Sequence, residues 1–357
     1  MIDFACIVHP LDLELFSSWE PEVSKKKKTI ITKLMEWIKP FKVSRITSIT
    51  SLTGKTVLGE LMLCILIPEQ IQSLESKLVL TKAIEAGKYA QDLGAKIISF
   101  NGYLSQVGRK GLRIAEALDV PITTGASYTV AATIETIYVI AERLRIDLSK
   151  AKLVIIGASG NIGSICAAVF ANKVRHLILV ARNETRLKKI AEKLKNKKVI
   201  VEIEKEISKA ANHANIIITA TNTPFPLIDL GTLSPGTIVC DVSRPRNVDP
   251  KNINKRNDVL ILDGGLIKPP GEPDFNFYYG LPSGLCYACM AEAMILALEE
   301  RYESYSIGTN ITLEKVIEIG YLAKKHGFGL AEFRSFNEII SEDYLNCFKK
   351  YTHKISS

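Results

Sequence analysis

One stretch of the chain constrains its fold more than any other. It reads Leu153-Val-Ile-Ile-Gly157-Ala-Ser-Gly160-Asn-Ile-Gly163 and places an apolar run, a glycine turn and a small-residue run in that order. Gly160 lets the backbone approach a pyrophosphate, and Gly163 lets a following helix pack against the strand. The helix N-terminus adds unpaired N–H groups and a positive dipole. The predicted nucleotide contacts are Gly157, Ser159, Gly160, Asn161, Ile162 and Gly163.

The glycine spacing, G-x-x-G-x-x-G, is one residue wider at its start than the commonest pattern, so its context matters. Evenly placed apolar runs follow: Leu153 to Ile156, Leu177 to Val180, Val199 to Ile203, Ile216 to Ala220, Ile238 to Val242 and Val259 to Leu262. Strands that are apolar on both faces are typical of a parallel sheet covered by helices. We therefore predict an α/β fold with a doubly wound parallel sheet of the Rossmann type.

The end of the second predicted strand indicates which dinucleotide binds. An acidic residue there would hold the ribose 2′-hydroxyl of NAD, but the sequence is Ala181-Arg182-Asn183. Arg182 offers a cation to a 2′-phosphate, and Arg186 adds a second positive charge. NADPH is the expected cofactor, with Asn183 beside it; the alternative is that Arg182 is merely an exposed residue leading into a helix.

The carboxyl ends of the fourth and fifth predicted strands carry Thr221 and Asp241. In a doubly wound sheet this edge is where the nicotinamide is expected. We therefore include both residues among the predicted cofactor contacts.

The first part of the chain predicts a second α/β unit. Its signals are a short apolar strand at Phe4 to Val8, strand-like runs around the turn Thr53-Gly54-Lys55, and helical periodicity at Leu74 to Leu93 and from about Ser127 to Leu144. A polar link before residue 153 suggests a boundary. We predict an N-terminal α/β substrate domain (1–150), an NADP(H)-binding domain (151–284), and C-terminal helices (285–357) that carry the cysteines and pack back on the N-terminal domain. Residues 351–357 are expected to fray.

Composition limits the class of protein. With 47% hydrophobic and 24% charged residues among 357, the chain is globular, and it contains no apolar run long enough for a membrane span. Its start lacks a signal-peptide pattern, so we expect a cytoplasmic protein with at most peripheral membrane contact. Seven scattered cysteines fit a reducing compartment. The net charge of +8 indicates either a solvated lysine-rich surface or a docking face for an anionic ligand or carrier protein; without aromatic-interleaved basic stripes, nucleic acid is not expected.

Two cysteines follow a glycine-containing break in Gly280-Leu-Pro-Ser-Gly284-Leu-Cys286-Tyr-Ala-Cys289. A helix that starts after this break would place both thiols in its first turns, where the positive helix end favours the thiolate. The pair could be a reactive nucleophile, buried core thiols, a C-x-x-C redox pair or half of a metal site. A zinc site needs two more ligands, and none of the five histidines is near in sequence, so no metal is predicted.

Taken together, these segments resemble the cyanobacterial long-chain acyl-(acyl carrier protein) reductase family, which forms fatty aldehydes. The resemblance extends over about residues 45 to 330. It is carried by Thr123-Thr-Gly-Ala-Ser-Tyr-Thr129, Gly157 to Gly163, Leu177 to Leu187, Tyr287-Ala-Cys-Met-Ala-Glu-Ala-Met294, Asn310-Ile-Thr-Leu-Glu-Lys and Lys325-His-Gly-Phe328. Residues 1–40 and 263–285 match poorly, and Tyr128 stands where the family carries a histidine.

The resemblance implies that Cys289 is the catalytic nucleophile and that Cys286 is a bystander or resolving thiol. It also implies NADPH-dependent reduction of a fatty acyl thioester, carried by acyl carrier protein or coenzyme A, to an aldehyde that another enzyme could consume. Tyr128 and His326 are expected to serve in packing rather than as hydrogen-bond donors to the substrate. Two alternatives stay open: an NADP-dependent dehydrogenase of a small alcohol or amino acid with structural cysteines, and a non-enzymatic NADPH-binding sensor.

Overall fold

The computed structural model describes residues 2–251, 253–309 and 311–356. It separates the chain into two compact units: the first combines Met1–Thr129 with Leu266–Ala331, and the second combines Val130–Gly265 with Glu332–Ser357. The three consecutive segments predicted above are therefore wrong in their boundaries. The chain passes from the first unit to the second within the helix Ala126–Leu144 and returns to the first unit after residue 265. Each unit is therefore built from two separate segments of the sequence.

The helices are α1 (Leu13–Trp19), α2 (Pro21–Ser24), α3 (Lys28–Met35), α4 (Pro68–Ser73), α5 (Ser76–Asp92), α6 (Val107–Lys110), α7 (Leu112–Ala115), α8 (Ala126–Leu144), α9 (Asn161–Phe170), α10 (Glu184–Leu194), α11 (Ile207–Ala211), α12 (Ala288–Leu298), α13 (Leu313–His326) and α14 (Glu342–Ser356). Short 3-10 turns occupy Gly102–Gln106, Leu148–Lys150, Leu230–Thr232 and Ile253–Lys255.

The strands are β1 (Phe4–Val8), β2 (Phe41–Thr50), β3 (Thr56–Leu63), β4 (Ile98–Phe100), β5 (Ile122–Thr123), β6 (Lys152–Ile156), β7 (His176–Val180), β8 (Ile200–Glu204), β9 (Ile216–Thr219), β10 (Ile238–Asp241), β11 (Leu260–Asp263), β12 (Leu266–Lys268), β13 (Gly271–Asp274), β14 (Cys286–Tyr287), β15 (Gly329–Leu330), β16 (Arg334–Ser335) and β17 (Glu338–Ile339).

The first unit contains a mixed sheet in the order β13-β2-β3-β1-β4-β5. The strand-like runs predicted around the turn at Thr53 to Lys55 are confirmed, because β2 and β3 pair antiparallel there as a hairpin. Strand β13 adds to its outer edge, which brings residues 271–274 back to the N-terminal part of the chain. Helix α12 packs beside β1 and β4, and every one of its residues except Cys289 is buried.

The second unit contains an all-parallel sheet in the order β11-β10-β9-β6-β7-β8. Numbered within the unit, this is the order 3-2-1-4-5-6 of dinucleotide-binding folds, read from the opposite edge. The predicted Rossmann-type sheet is confirmed, and each predicted strand agrees with the observed one to within about one residue. The strand order reverses at β6, whose neighbours are β7 and β9.

The last part of the described chain contains two longer helices. Helix α13 begins after Thr312, whose hydroxyl oxygen accepts the Lys315 N–H at 3.3 Å and so caps the helix. The predicted fraying at residues 351–356 is wrong, because α14 continues through them and buries Leu345 and Phe348 within the second unit. Asn310 and Ser357, which belong to segments considered above, lie outside the described residues.

Within the part of the chain that the structure describes, no helix combines the length and the apolar character needed to cross a bilayer.

Candidate active site

The glycine turn after β6 is held between the ends of two neighbouring strands. Gly157 has φ +90°, and a β-carbon there would overlap the carbonyl oxygen of Ala220, just after β9. The N–H groups of Gly157 and Ala158 donate to the Val180 carbonyl at 2.8 and 3.1 Å, at the end of β7. The turn therefore lies at the reversal of strand order, where this fold binds its ligands.

The turn leads into helix α9 with the geometry of an anion site. Gly160 is the N-cap and makes no side-chain capping bond, so the cap position itself offers no side-chain acceptor to the N–H groups of the first turn. A β-carbon on Gly163 would lie 2.5 Å from the Gly157 carbonyl oxygen, so only glycine lets helix and turn approach this closely. These features fit a pyrophosphate, and Ser159 precedes the cap within the same turn.

The basic residues after β7 are exposed. Asn183 is the N-cap of α10, and its side-chain oxygen accepts the Arg186 N–H at 2.9 Å. Within the described residues, no ion pair or side-chain hydrogen bond engages the guanidinium groups of Arg182 and Arg186. Both cations are therefore available to an anionic group near the end of β7, while the side chain of Asn183 is already used in capping.

The position of Asp241, at the end of β10, differs from the prediction. The Asp241 carboxylate is fully buried and accepts four hydrogen bonds from the protein: the Thr219 hydroxyl at 2.5 Å and the N–H groups of Ser243, Asn247 and Val248 at 2.7–3.1 Å. Direct contact between Asp241 and a cofactor is therefore a wrong prediction. The residue instead organises the loop after β10, because a buried carboxylate must have its acceptors satisfied.

Thr221 belongs to the same network. Its hydroxyl donates to the Asn247 side-chain oxygen at 2.6 Å, and its N–H donates to the Ser243 hydroxyl at 3.0 Å. Thr221 is half-buried, so it can also contribute to the rim of the nucleotide site. Sequence reasoning missed Ser243 and Asn247, since loop residues whose partners are on other strands have no periodic signal.

A buried ion-pair cluster lies beside this loop. Arg246 forms a two-point contact with Asp263, at 2.7 and 3.1 Å, and Arg244 reaches the same carboxylate at 3.5 Å. Burial alone would raise the pKa of Asp263, but the two guanidinium groups outweigh it and the pKa is lowered. The carboxylate stays ionised and fixes the loop between β10 and β11.

The thiol site is in the first unit. Cys289 occupies the second position of α12, whose N-cap is Tyr287, and it is the half-exposed residue of an otherwise buried helix. Cys286 was predicted to lie on the same helix, and this prediction is wrong. It lies in strand β14, where it is fully buried. The helix begins later than the glycine break suggested because β14 first pairs with β12.

Backbone N–H groups of Gly102, of Met290 and of Cys289 itself interact with the Cys289 sulfur. Burial raises the pKa of the thiol to about 11, the nearby Glu292 carboxyl raises it further, and these N–H groups oppose the shift. The resting group is therefore a neutral thiol in a position where negative charge, once formed, meets backbone hydrogen-bond donors.

The loop that supplies the Gly102 N–H is held by His9. The His9 Nε2 atom accepts the Tyr103 N–H at 2.9 Å, and Nδ1 lies 2.9 Å from the Pro10 carbonyl oxygen, which assigns the proton to Nδ1. Gly102 itself has φ +58°, and a β-carbon there would lie 2.6 Å from the His9 ring. Burial lowers the pKa of His9 to about 4, so the ring is neutral.

Glu292, one helical turn after Cys289, ties a second loop to the thiol. Its fully buried carboxylate accepts the Thr123 hydroxyl and, at 2.7 Å, the Tyr128 N–H. Burial raises the pKa of Glu292, which these donors oppose. The loop brings Gly125, with φ +70°, against Cys289, where a β-carbon would overlap the cysteine backbone.

Buried thiols and aromatic rings surround Cys289 on its inner side. Cys6 and Cys286 are both fully buried within electrostatic range of it, and burial raises the pKa of each thiol, that of Cys6 to about 12. Tyr279 belongs to the same environment, and its ring contacts those of Phe275 and Tyr287. The segment that matched the family poorly thus supplies an apolar aromatic wall near the thiol.

His326 has a structural role. Its Nδ1 lies 2.7 Å from the Ser51 hydroxyl and its Nε2 lies 2.5 Å from a Glu299 oxygen. The ring is buried and ties α13 to the turn after β2 and to the end of α12. Burial lowers the pKa of His326 although Glu299 opposes the shift. The packing role expected for His326 thus agrees with its position, and the Tyr128 side chain is also buried.

Throughout residues 2–251, 253–309 and 311–356, no group of three or more His, Cys, Asp or Glu side chains is arranged to hold a metal ion.

Comparison with known proteins adds to this geometry. The family model for shikimate/quinate 5-dehydrogenase matches residues 139–263, which cover the parallel sheet. The long-chain acyl-(acyl carrier protein) reductase of Synechococcus elongatus is 28% identical over 296 residues, 79% of this chain and 85% of that protein. The resemblance to this reductase is confirmed. The second unit is a nicotinamide dinucleotide-binding domain, and the relatives support an oxidoreductase.

Aminotransferase PigE of Serratia sp. is also 28% identical, over 318 residues. The match covers 85% of this chain but only 36% of PigE, so the chain spans about a third of that relative. Among solved structures, L-tryptophan dehydrogenase from Nostoc punctiforme aligns over 99% of this chain and 88% of its own, with 11% identity and a TM-score of 0.42. A likeness at that level says nothing about substrate.

Proposed function

We propose that this protein reduces a long-chain fatty acyl thioester to a fatty aldehyde, with NADPH as the reductant and Cys289 as the nucleophile. The observation that carries the proposal is the position of Cys289. It is the half-exposed residue of a buried helix, backbone N–H groups including those of Gly102 and Met290 interact with its sulfur, and the second unit of the chain has the sheet order of a dinucleotide-binding fold. The similarity to an acyl-(acyl carrier protein) reductase over 79% of the chain supports the same chemistry.

The first step forms the acyl-enzyme. The Cys289 sulfur attacks the thioester carbonyl carbon, a new C–S bond forms, and the bond to the carrier sulfur breaks. The proton that Cys289 loses ends on the departing carrier thiol. The N–H groups of Gly102 and Met290 stabilise negative charge at the sulfur and at the adjacent acyl oxygen as it develops.

The second step releases the product. NADPH, when bound, supplies the hydride that reduces the acyl carbon. The bond between that carbon and the Cys289 sulfur then breaks, the oxygen becomes the aldehyde carbonyl, and the sulfur takes a proton from water. Glu292 and His9 take no part in bond changes, because both are buried and engaged with backbone groups; they position the loops that carry Gly125 and Gly102.

The residues of the second unit fit the proposed cofactor. The uncapped start of α9 suits a pyrophosphate, and the exposed guanidinium of Arg182 after β7 suits a 2′-phosphate. We propose contacts through the turn from Gly157 to Gly163 and through Arg182 and Arg186, with Thr221 at the rim.

The carrier and the chain length are also part of the proposal. The aromatic wall of Phe275, Tyr279 and Tyr287 near the thiol suits an apolar acyl chain. The net charge of +8 suits an acidic carrier, so we propose acyl carrier protein as the preferred donor and coenzyme A as the weaker one. A cytoplasmic location and transfer of the aldehyde to a consuming enzyme accord with this chemistry.

The test measures aldehyde directly together with NADPH oxidation, using palmitoyl and stearoyl thioesters of both carriers. We expect aldehyde from the wild type and none from Cys289→Ala, with NADPH binding unchanged. The matched control is Cys347→Ser, which removes an exposed thiol of the second unit and should leave the rate unchanged. NADPH binding without thioester turnover would refute the proposal and favour a small-molecule dehydrogenase or a sensor.

A further inference from the structure

Residues 25–42 form an unusual surface of the first unit, which we call the lysine–tryptophan face. Helix α3 has one apolar side that is buried, through Ile31 and Met35. A second apolar side points to solvent and continues beyond the helix. Its members and their exposed fractions are Ile30 (49%), Leu34 (58%), Trp37 (79%), Ile38 (36%) and Phe41 (41%).

This outward side is fixed by the fold. The buried Lys82 ammonium donates to the Ile38 carbonyl at 2.8 Å, and the buried Gln70 amide donates to the Thr32 carbonyl at 2.8 Å. Turning α3 over would break both bonds and expose Ile31 and Met35 instead. Contiguous exposed apolar surface of this kind marks an interaction site.

Positive charge surrounds the apolar residues. Between residues 25 and 42 there are seven lysines and one glutamate. The glutamate, Glu36, pairs with Lys33 at 3.2 Å, while Lys25 and Lys42 pair with Glu22 and Glu60 outside the face. Lys26, Lys27 and Lys28 crowd the start of the helix, so the charge is concentrated at one end of the apolar strip.

We propose that the lysine–tryptophan face docks reversibly on an anionic lipid bilayer. A helix with an apolar strip, an exposed tryptophan and flanking lysines lies in the interface between headgroups and acyl chains. Each lysine near an anionic surface adds to the attraction. A protein partner fits less well, because lysine is depleted in protein interfaces while this face is rich in it.

The docking surface shares no residue with the thiol site or with the proposed dinucleotide contacts, and the proposal does not depend on the proposed reaction. If both proposals hold, docking places the first unit at the phase in which a long-chain aldehyde is most soluble. Because only one short helix and the few residues after it supply the apolar contact, binding is reversible and weakens as salt screens the lysines.

The experiment uses the intrinsic fluorescence of Trp37. The chain has two tryptophans, so Trp19→Phe leaves Trp37 as the sole source of tryptophan fluorescence. The indole N–H of Trp19 donates a hydrogen bond to the Tyr278 carbonyl, which lies outside the face. We expect a blue shift of its emission with vesicles of mixed phosphatidylcholine and phosphatidylglycerol, and none with phosphatidylcholine alone. Co-sedimentation of the wild-type protein with the same vesicles provides a second readout that does not require the variant.

Two sets of variants divide the contributions. Lys26→Gln, Lys27→Gln and Lys28→Gln together should weaken vesicle binding on the order of a hundredfold. Leu34→Ser with Trp37→Ser should abolish co-sedimentation. The matched control is Ile317→Ser with Tyr321→Ser, which removes an equally exposed apolar pair from α13, beside Glu314 and Glu318, and should leave binding unchanged.

Equal binding to both vesicle types, or no binding to either, overturns the proposal. So does equal loss of binding in the α13 control. If acyl carrier protein shifts the Trp37 emission while vesicles do not, the face is a dock for an acidic protein and the lipid proposal is wrong. Aldehyde formation from soluble thioesters is measured in parallel, so a failure of docking is distinguishable from a failure of the reaction.

Discussion

Gly125 presses directly on Cys289: a β-carbon built on Gly125 would overlap the Cα, Cβ and carbonyl oxygen of the cysteine. The loop that carries Gly125 is fastened to the cysteine helix by Glu292, which binds the Thr123 hydroxyl and the Tyr128 N–H. The position of the nucleophile is therefore set jointly by its own helix and by a loop about 160 residues earlier in the chain. This arrangement makes the site sensitive to changes that do not touch the sulfur.

We predict that Gly125→Ala lowers kcat/KM for thioester reduction about a hundredfold, because an added methyl displaces Cys289 from its working position. NADPH binding, measured by fluorescence, should be unchanged. Gly54→Ala is the control: Gly54 also has positive φ, at +84°, but a β-carbon there meets nothing within 4 Å. Both variants carry similar backbone strain, so equal loss of activity in both would show that strain, and not the clash, is responsible.

The raised pKa of Cys289 has a measurable consequence. A thiol with pKa about 11 is almost entirely protonated near neutral pH, and its thiolate fraction rises about tenfold with each pH unit. In a Cys347→Ser background, the rate at which iodoacetamide labels Cys289 should therefore rise about tenfold per pH unit from about pH 7 to about pH 9. For a free cysteine, with pKa about 8.5, the labelling rate begins to level off toward the upper end of that range. A rate for Cys289 that is already maximal at neutral pH would contradict the assignment.

Arg182 should determine the preference for the phosphorylated cofactor. We expect Arg182→Ala to reduce the ratio of NADPH to NADH affinity by about tenfold to a hundredfold, since one charge-assisted contact with a phosphate is lost. Lys189→Ala, which removes an exposed cation on the helix α10 that follows Arg182, is the control and should leave the ratio unchanged. Titration calorimetry with both cofactors decides the matter, and an unaltered ratio in Arg182→Ala would remove this residue from the site.

His9 should make the protein sensitive to acid. Burial lowers its pKa from 6.5 to about 4, so the unfolded chain takes up the proton first. Its contribution to stability is complete above pH 6.5 and is lost as the pH falls toward 4. Between pH 6.5 and about 4.5, the free energy of unfolding should drop by about 2 kcal/mol more in the wild type than in His9→Gln. Urea unfolding at several pH values measures this, with the exposed His213→Gln as the control; parallel pH profiles for wild type and His9→Gln would disprove it.

Glu292→Gln should weaken the connection between the cysteine helix and the Thr123 to Tyr128 loop. The glutamine amide keeps one acceptor oxygen, but its NH2 group replaces the other oxygen and faces the hydrogen-bond donor that this oxygen accepted from. We expect this change to cost about 1–3 kcal/mol of stability. Activity should fall as well, while NADPH affinity stays constant. Glu116→Gln, on an exposed position of the same unit, is the control. Unfolding curves identical to those of the wild type would mean that the buried carboxylate does not hold this loop.

The sequence predicted the second unit well because its signals are local. Each parallel strand is a short apolar run, and the glycine turn, the strand before it and the helix after it are contiguous. Arg182 could be proposed for the same reason, since its position relative to the second strand is fixed by chain order. Asp241 was assigned wrongly because the strand end is visible in sequence, whereas the inward turn of its carboxylate toward Thr219 and Asn247 is not.

By itself, then, the sequence determined the type of sheet, the glycine turn and, through the family resemblance, the proposed nucleophile. Only the tertiary structure decided which segments share a unit, that Cys286 lies on a strand, and that His9, Gly102 and Gly125 shape the surroundings of Cys289. The physical reason is separation along the chain. His9 holds a backbone group 94 residues away, and Glu292 holds one 164 residues away, by hydrogen bonds that leave no periodic pattern in the sequence.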